Sequence, residues 1–172
     1  AGTLVTATKS LFQSLTTDKN LADTVSKMSA SLKSMNLNRL GMALTMVELD
    51  GHRLRYCAAG IPPILIYRAK NDMVEEGETG GLPLGLTTRG SYQQTELTLE
   101  SGDAFLLMSD GLPERINEAE EEFGYQRVQE LFHKVAKDTP AEVCRKMAAA
   151  GDAWADGKEQ DDDVSFLAVR IR

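Results

Sequence analysis

A chain of 172 residues, 42% hydrophobic and 26% charged, has the size and composition of one globular domain built around one core. Its 19 basic and 26 acidic residues leave a formal net charge of −7, which repels phosphate backbones and anionic lipid and excludes nucleic acid and a membrane surface as expected partners. Cys57 and Cys144 form neither a CxxC pair nor a zinc spacing and are expected to be buried thiols. No apolar run is long enough to span a bilayer, so a cytoplasmic, reducing compartment is the expectation.

The first residues, Ala1-Gly2-Thr3, carry no initiator Met and no basic, apolar leader, so the start reads as a cut end. Leu4, Leu11 and Leu15, with Val5 and Phe12, recur at three- and four-residue steps and predict an amphipathic helix over about 3–16. A polar break at Thr16-Thr17-Asp18 follows. Leu21, Val25, Met28, Leu32 and Met35 then repeat the spacing and predict a second helix over about 20–36.

The period changes from Met42 to Leu49, and Asp50-Gly51 reads as the turn of a hairpin returning through Arg53 to Cys57. Gly60 and Pro62-Pro63 interrupt the pairing before a strand at Ile64 to Tyr67, a turn at Asn71-Asp72 and a short return at Met73-Val74. This order predicts an antiparallel meander. Gly80-Gly81-Leu82-Pro83-Leu84-Gly85 can be neither helix nor strand, yet its leucines predict a packed loop. Gln93 to Leu99 alternates, and Ala104 to Met108 is a continuous apolar run, expected to be a strand buried on both faces. Val128, Leu131, Phe132 and Val135 mark a helix, and Thr139-Pro140-Ala141-Glu142 opens another with a capping box and a proline at its first position. Val164 to Ile171 closes the chain as an expected buried strand, with Val164, Phe166 and Ala168 on one face. No repeat or linker divides the chain, so 1–172 reads as a single domain.

The chemistry must come from few residues, for there is no GxSxG elbow and no GxxxxGK[ST] loop, and His52 and His133 read as solvated surface residues. No catalytic side chain is identifiable. Two acidic sites remain, Asp110 just after one buried apolar strand and Asp161-Asp162-Asp163 just before another. If those strands were neighbours, the carboxylates would converge at one end of a sheet, where hard oxygen donors suit Mg²⁺ or Mn²⁺. Taken alone, the same residues also describe an ordinary Asp-Gly turn and a solvated acidic run.

Ser109-Asp110-Gly111-Leu112-Pro113-Glu114 and Asp162-Asp163-Val164-Ser165 resemble the two C-terminal metal motifs of the SpoIIE-type, metal-dependent serine/threonine protein phosphatases of the PPM class. Ala58-Ala59-Gly60-Ile61-Pro62-Pro63 and Gly81-Leu82-Pro83-Leu84-Gly85-Leu86 are similar to two further segments of that family, in the same order. The resemblance covers nearly the whole chain. It implies an α+β fold, a sandwich of two antiparallel β-sheets flanked by helices, here lacking the first strands. It also implies hydrolysis of phosphoserine or phosphothreonine by a pair of divalent cations, Mn²⁺ or Mg²⁺, that hold the phosphoryl group and activate water.

By the same resemblance Asp110 and Asp162 are metal ligands, Asp163 stands beside the ligand, and Ser109 and Gly111 belong to the surrounding shell. Asp161 has no counterpart. The family's earlier acidic segment is expected to lie before residue 1, so the chain alone is expected to be weakly active or inactive. Open strand edges left by that gap favour a homodimer. The expected substrate is a phosphorylated regulator of the STAS, anti-anti-sigma kind, in a bacterial sigma-factor partner-switching pathway, and the two leading helices stand where relatives carry a regulatory switch. The alternative is a catalytically dead relative that uses the same fold to bind a regulatory protein.

Overall fold

The computed structural model describes residues 2–15, 20–36, 40–87 and 91–172; the predicted break at Thr16-Thr17-Asp18 lies outside them. Two compact units emerge, Ala1–Ile61 with Glu78–Thr98, and Pro62–Gly77 with Leu99–Arg172.

In the first unit, α1 (Gly2–Leu15) and α2 (Leu21–Ser34) occupy the two predicted helical stretches. Asn20 caps α2, its side chain accepting from the Ala22 N–H at 2.8 Å. The strands are β1 (Leu44–Asp50), β2 (Arg53–Ala59) and β5 (Thr95–Thr98), in the order β1-β2-β5. Leu4, Val25, Met28 and Leu32 pack with Met46, Cys57, Ala59 and Leu84, each buried aliphatic contributing about 1.5–3 kcal/mol. Most of the helical stripe residues pack into this core, but Val5, Phe12 and Met35 are exposed. The hairpin turn falls one residue later than predicted: Asp50 pairs with Arg53, and Gly51-His52 make the loop, with Gly51 at φ 58° in the first central position.

The predicted packed loop is bound into this unit. Met42 and Leu84 exchange backbone hydrogen bonds at 3.0 and 2.8 Å, and the Gly60 N–H donates to Gly81 O at 3.2 Å. Gly60 has φ 64°, and a Cβ there would sit 2.3 Å from Pro83 Cγ, so only glycine lets the two loops approach. The buried Ser29 hydroxyl accepts from the Gly85 N–H at 3.1 Å and from the Tyr92 hydroxyl at 3.0 Å. Packing is uneven, with Leu84 buried and Leu82 exposed, because the loop turns one leucine inward and leaves the other in solvent.

The second unit corrects the meander. After Gly60 and Pro62-Pro63 the chain leaves the first sheet, and β3 (Leu65–Arg68) and β4 (Met73–Glu76) join β6 (Ala104–Met108) and β7 (Phe166–Arg170) in the order β4-β3-β6-β7. Proline lacks the ladder N–H, so the double proline ends one pairing and permits a new one. All pairs are antiparallel. On one face Leu65, Tyr67, Leu106 and Met108 pack against α3 (Tyr125–Val135) and α4 (Pro140–Ala155) through Val128, Phe132, Val143 and Met147. β7 is an edge strand, not a fully buried one: Phe166 and Ala168 face this core as predicted, while Leu167 is exposed. Cys57 is buried, which pushes its thiol up to about 11, whereas Cys144 is only half-buried because it lies off the inward stripe of α4.

The capping box forms as predicted: Thr139 Oγ1 accepts from the Glu142 N–H and the Glu142 carboxylate accepts from the Thr139 N–H, each at 3.4 Å. Thr139→Ala is expected to destabilise by about 1 kcal/mol, a fall of roughly 2–4 °C in a thermal melt. An unchanged melting temperature would show that the cap does not hold α4. Among the described residues no helix is long and apolar enough to cross a membrane.

Candidate functional site

The two acidic segments meet because β6 and β7 are antiparallel neighbours, with Met108 opposite Phe166. The residues just after β6 and those just before β7 therefore share one end of the sheet. The ladder runs one residue further, the Ser109 N–H donating to Ser165 O at 3.1 Å. Ser109 Oγ then ties the two segments together, accepting from the Ser165 N–H at 2.9 Å and donating to Asp163 O at 2.8 Å. With its proton and one lone pair committed, that hydroxyl is a clamp rather than a nucleophile.

Gly111 packs against the other strand's approach, where a Cβ would stand 2.5 Å from Asp163 O. Asp110 opens a turn closed by the Glu114 N–H on its carbonyl at 3.0 Å. Asp162 is fixed from both sides: its Oδ1 accepts from the Asp163 N–H and its carbonyl from Gln160 Nε2, each at 2.7 Å. Asp110 is half-buried, while Asp161, Asp162 and Asp163 are exposed. The structure thus brings Ser109, Asp110, Gly111, Asp162 and Asp163 to one sheet end, and among the described residues Asp161 makes no hydrogen bond or ion pair there.

The electrostatics add residues that spacing did not single out. Partial burial raises the Glu114 carboxyl, and the negative charges of Asp110, Glu122 and Asp162 raise it further. Tyr125 is raised by burial and then by Glu114, Asp110 and Glu122. Glu122 and Tyr125 reach this end through an arch in which Ile116 bridges Glu122 and the Gly124 N–H donates to Pro113 O at 2.8 Å. Glu114 belongs to the 109–114 motif; the other two depend on how the arch folds back, which no local pattern encodes. His52 and Cys57 lie in the first unit, and His133 is engaged with the Asp72 carbonyl at 2.8 Å.

Concentrated negative charge and hard carboxylate oxygens suit a divalent cation in kind. They fall short in number, since among the described residues no three Asp, Glu, His or Cys side chains are grouped closely enough to hold an ion.

Two antiparallel sheets with four helices are the fold of PP2C-type phosphatase domains. The SiaA-PP2C domain of Pseudomonas aeruginosa matches with a TM-score of 0.82 at 20% identity, over 98% of this chain and 68% of that one. The phosphatase domain of the cell fate determinant SpoIIE from Bacillus subtilis matches with a TM-score of 0.64 at 17% identity, over 96% and 73%. At such identities these likenesses bear on the fold. The family follows from the sequence: the model described as Stage II sporulation protein E (SpoIIE) matches residues 1–172, and the chain belongs to that family. It is also 34% identical over 90 residues to the phosphoserine phosphatase RsbU of Bacillus subtilis, a match that spans 46% of this chain and 27% of RsbU.

Proposed function

We propose that residues 1–172 form a phosphatase-like domain whose Asp110 and Asp162 supply part of a two-metal site that hydrolyses phosphoserine or phosphothreonine on a regulatory protein. The observation that carries this reading is the β6–β7 register, which puts Asp110 and Asp162 at one sheet end. When bound, Mn²⁺ or Mg²⁺ would neutralise phosphoryl charge and lower the pKa of water. The chain's own residues hold the frame: Asp110 and Asp162 offer carboxylate oxygens, Ser109 fixes the spacing of their segments, Gly111 permits their contact, and Asp163 stands beside the ligand. Membership of the SpoIIE family and the likeness to RsbU support a phosphorylated STAS-like partner and a cytoplasmic signalling role. The outer edges of β1 and β5, unpaired among the described residues, support pairing with a second copy.

Too few donors converge among the described residues for tight metal binding, so further carboxylates must come from outside them. The test is calorimetric titration of Mn²⁺ into this chain and into Asp110→Asn and Asp162→Asn. Binding is expected to be weak in the first and at least 10–100-fold weaker in either variant, the range seen when even an outer-shell partner of a metal is lost. Identical isotherms for all three would remove both residues from the site. Mn²⁺-dependent turnover of a phosphoserine peptide by these 172 residues alone would show that no further donors are needed.

A further inference from the structure

Asp110 and Asp162 lie in two segments, 109–115 and 158–163, that are tied together at both ends. The near tie is the Ser109 hydroxyl, which donates to Asp163 O at 2.8 Å. The far tie is Arg115, whose Nη2 donates to Lys158 O at 3.0 Å across 43 positions of sequence. The two ties close the segments into a loop with one aspartate on each arm.

Both partners of the far tie are themselves held. The Arg115 N–H donates to Leu112 O at 3.1 Å and its carbonyl accepts from the Phe123 N–H at 2.8 Å, so the arch fixes the backbone from which the guanidinium reaches. The Lys158 N–H donates to Ala155 O at 3.0 Å, which sets the acceptor at the end of α4. Lys158 Nζ also meets Glu120 at 2.5 Å, but that carboxylate is 74% exposed, and an exposed ion pair is screened and contributes little. The Arg115 bond is partly buried and is strengthened by the charge on its donor.

The residues between the ties have little else to hold them. Glu159, Gln160, Asp161 and Asp162 are exposed, and among the described residues the hydrogen bonds they make stay within 160–163. A single tie at Asp163 is a pivot about which the two arms can rotate; a second tie at Lys158 removes that rotation. Leu112, 1% exposed, also anchors the 109–115 turn, but apolar packing is non-directional and sets no spacing between carboxylates.

We propose that Arg115 is a positioning residue: by fastening the 109–115 turn to Lys158 O it sets the spacing of the Asp110 and Asp162 carboxylates, and its bearing on metal affinity rests on the phosphatase reading above.

The first readout needs no metal, and each variant is read on the arm it does not belong to. In ¹⁵N-labelled, metal-free chain, Arg115→Met, which keeps the stem and removes the donor, is expected to move the Asp162 and Asp163 amide signals. Those of Leu106 and Ala168, paired within the β6–β7 ladder, should stay in place. Arg115→Lys, which returns a charged donor, is expected to bring the moved signals back toward wild type. Gly157→Ala attacks the acceptor instead: Gly157 has φ 92°, which alanine rarely adopts, and a Cβ there meets nothing within 4 Å, so the strain falls on the backbone leading to Lys158 O. It is expected to move the Asp110 amide and the Arg115 side-chain signals, and it decides the matter if Arg115→Met misfolds. In the calorimetric titration, Arg115→Met is expected to bind Mn²⁺ about tenfold more weakly, the lower end of the range for an outer-shell partner, and Arg115→Lys to recover most of the loss. Unmoved signals on the opposite arm, a lysine variant indistinguishable from the methionine one, or undiminished Mn²⁺ binding where Asp110→Asn and Asp162→Asn lose it would overturn the proposal with the phosphatase reading intact. Moved signals with the same Mn²⁺ isotherm in wild type and both aspartate variants would leave the positioning standing and remove the metal reading.

Discussion

Asp103→Asn is expected to lower the stability of the second unit by about 3 kcal/mol, although asparagine has the same shape as aspartate. Asp103 is 2% exposed and makes three hydrogen bonds. Its Oδ1 accepts from the Ala69 N–H at 2.9 Å, and its Oδ2 from the Glu100 N–H at 3.0 Å and from Arg68 Nη1 at 3.1 Å. An amide can keep only one of these oxygens and must turn its NH₂ toward donors, leaving at least one buried N–H unpaired at about 1–3 kcal/mol and weakening a charge-assisted bond. Arg68 keeps Glu75 at 2.6 Å, so the guanidinium is not stranded and the loss stays below that of breaking a fully buried pair. Urea unfolding should show a lower midpoint at an unchanged slope.

The pH dependence of this effect has a fixed sign. Burial alone would raise the Asp103 carboxyl, but the Glu100 and Ala69 N–H groups and the Arg68 guanidinium outweigh it and hold it below the ordinary carboxylate range. A carboxyl lowered on folding stabilises above its unfolded pKa of about 3.9 and loses that contribution as pH falls through the lower folded value. The difference between wild type and Asp103→Asn should therefore be constant from pH 5 to 7 and shrink below about pH 4. A gap that widened in acid would mean that Asp103 is not the ionised hub of this corner.

Local chemistry made several elements legible in advance. The run from Ala104 to Met108 is β6 residue for residue, and Thr139-Pro140 with Glu142 marked the start of α4, because caps and buried strands are written in adjacent residues. Which strands pair is not written so. Arg53 to Ala59 turns out to lie between β1 and β5, nearly forty residues apart in sequence from the latter, and the expected meander failed because strand pairing is decided by distant burial. The same limit explains β7, whose apolar alternation reads as a doubly buried strand although Leu167 on its second face is exposed.

For the site, the sequence pattern yielded the two acidic segments but not the contacts that hold them. Asp110 and the run Asp161-Asp162-Asp163 stood out as acids at the ends of apolar strands, and the choice of Asp162 within the run came from the family resemblance. The bond from the Ser109 hydroxyl to Asp163 O spans 54 positions, and the arch that brings Glu122 and Tyr125 to Glu114 depends on backbone bonds such as Phe123 N–H to Arg115 O. Chemistry carried by residue type was readable, and chemistry carried by solvent exclusion was not.

Gly111→Ala tests the contact at the site directly and should destabilise by about 2–3 kcal/mol. The added carbon would lie 2.5 Å from Asp163 O, 3.0 Å from Asp163 C and 3.0 Å from Val164 Cγ2. Two of these are backbone atoms, so no rotamer change relieves the clash, and the Asp162–Asp163 segment must move as a unit. That movement opposes the Ser109 bonds to Asp163 O and from the Ser165 N–H, so overpacking of about 1–3 kcal/mol adds to weakened bonds of about 1 kcal/mol each. Restricting the unfolded chain returns only about 0.4–1 kcal/mol. The net loss corresponds to roughly 4–12 °C in melting temperature. Gly80→Ala is the control, for a Cβ there has nothing within 4 Å, so it should melt at the wild-type temperature or slightly above it. Because the displaced segment carries Asp162, Mn²⁺ affinity in Gly111→Ala should fall into the range of the single carboxylate variants while both carboxylates remain. Native melting would show that the segments are not in contact; lost stability with unchanged Mn²⁺ binding would separate the contact from the metal and leave Gly111 as packing alone.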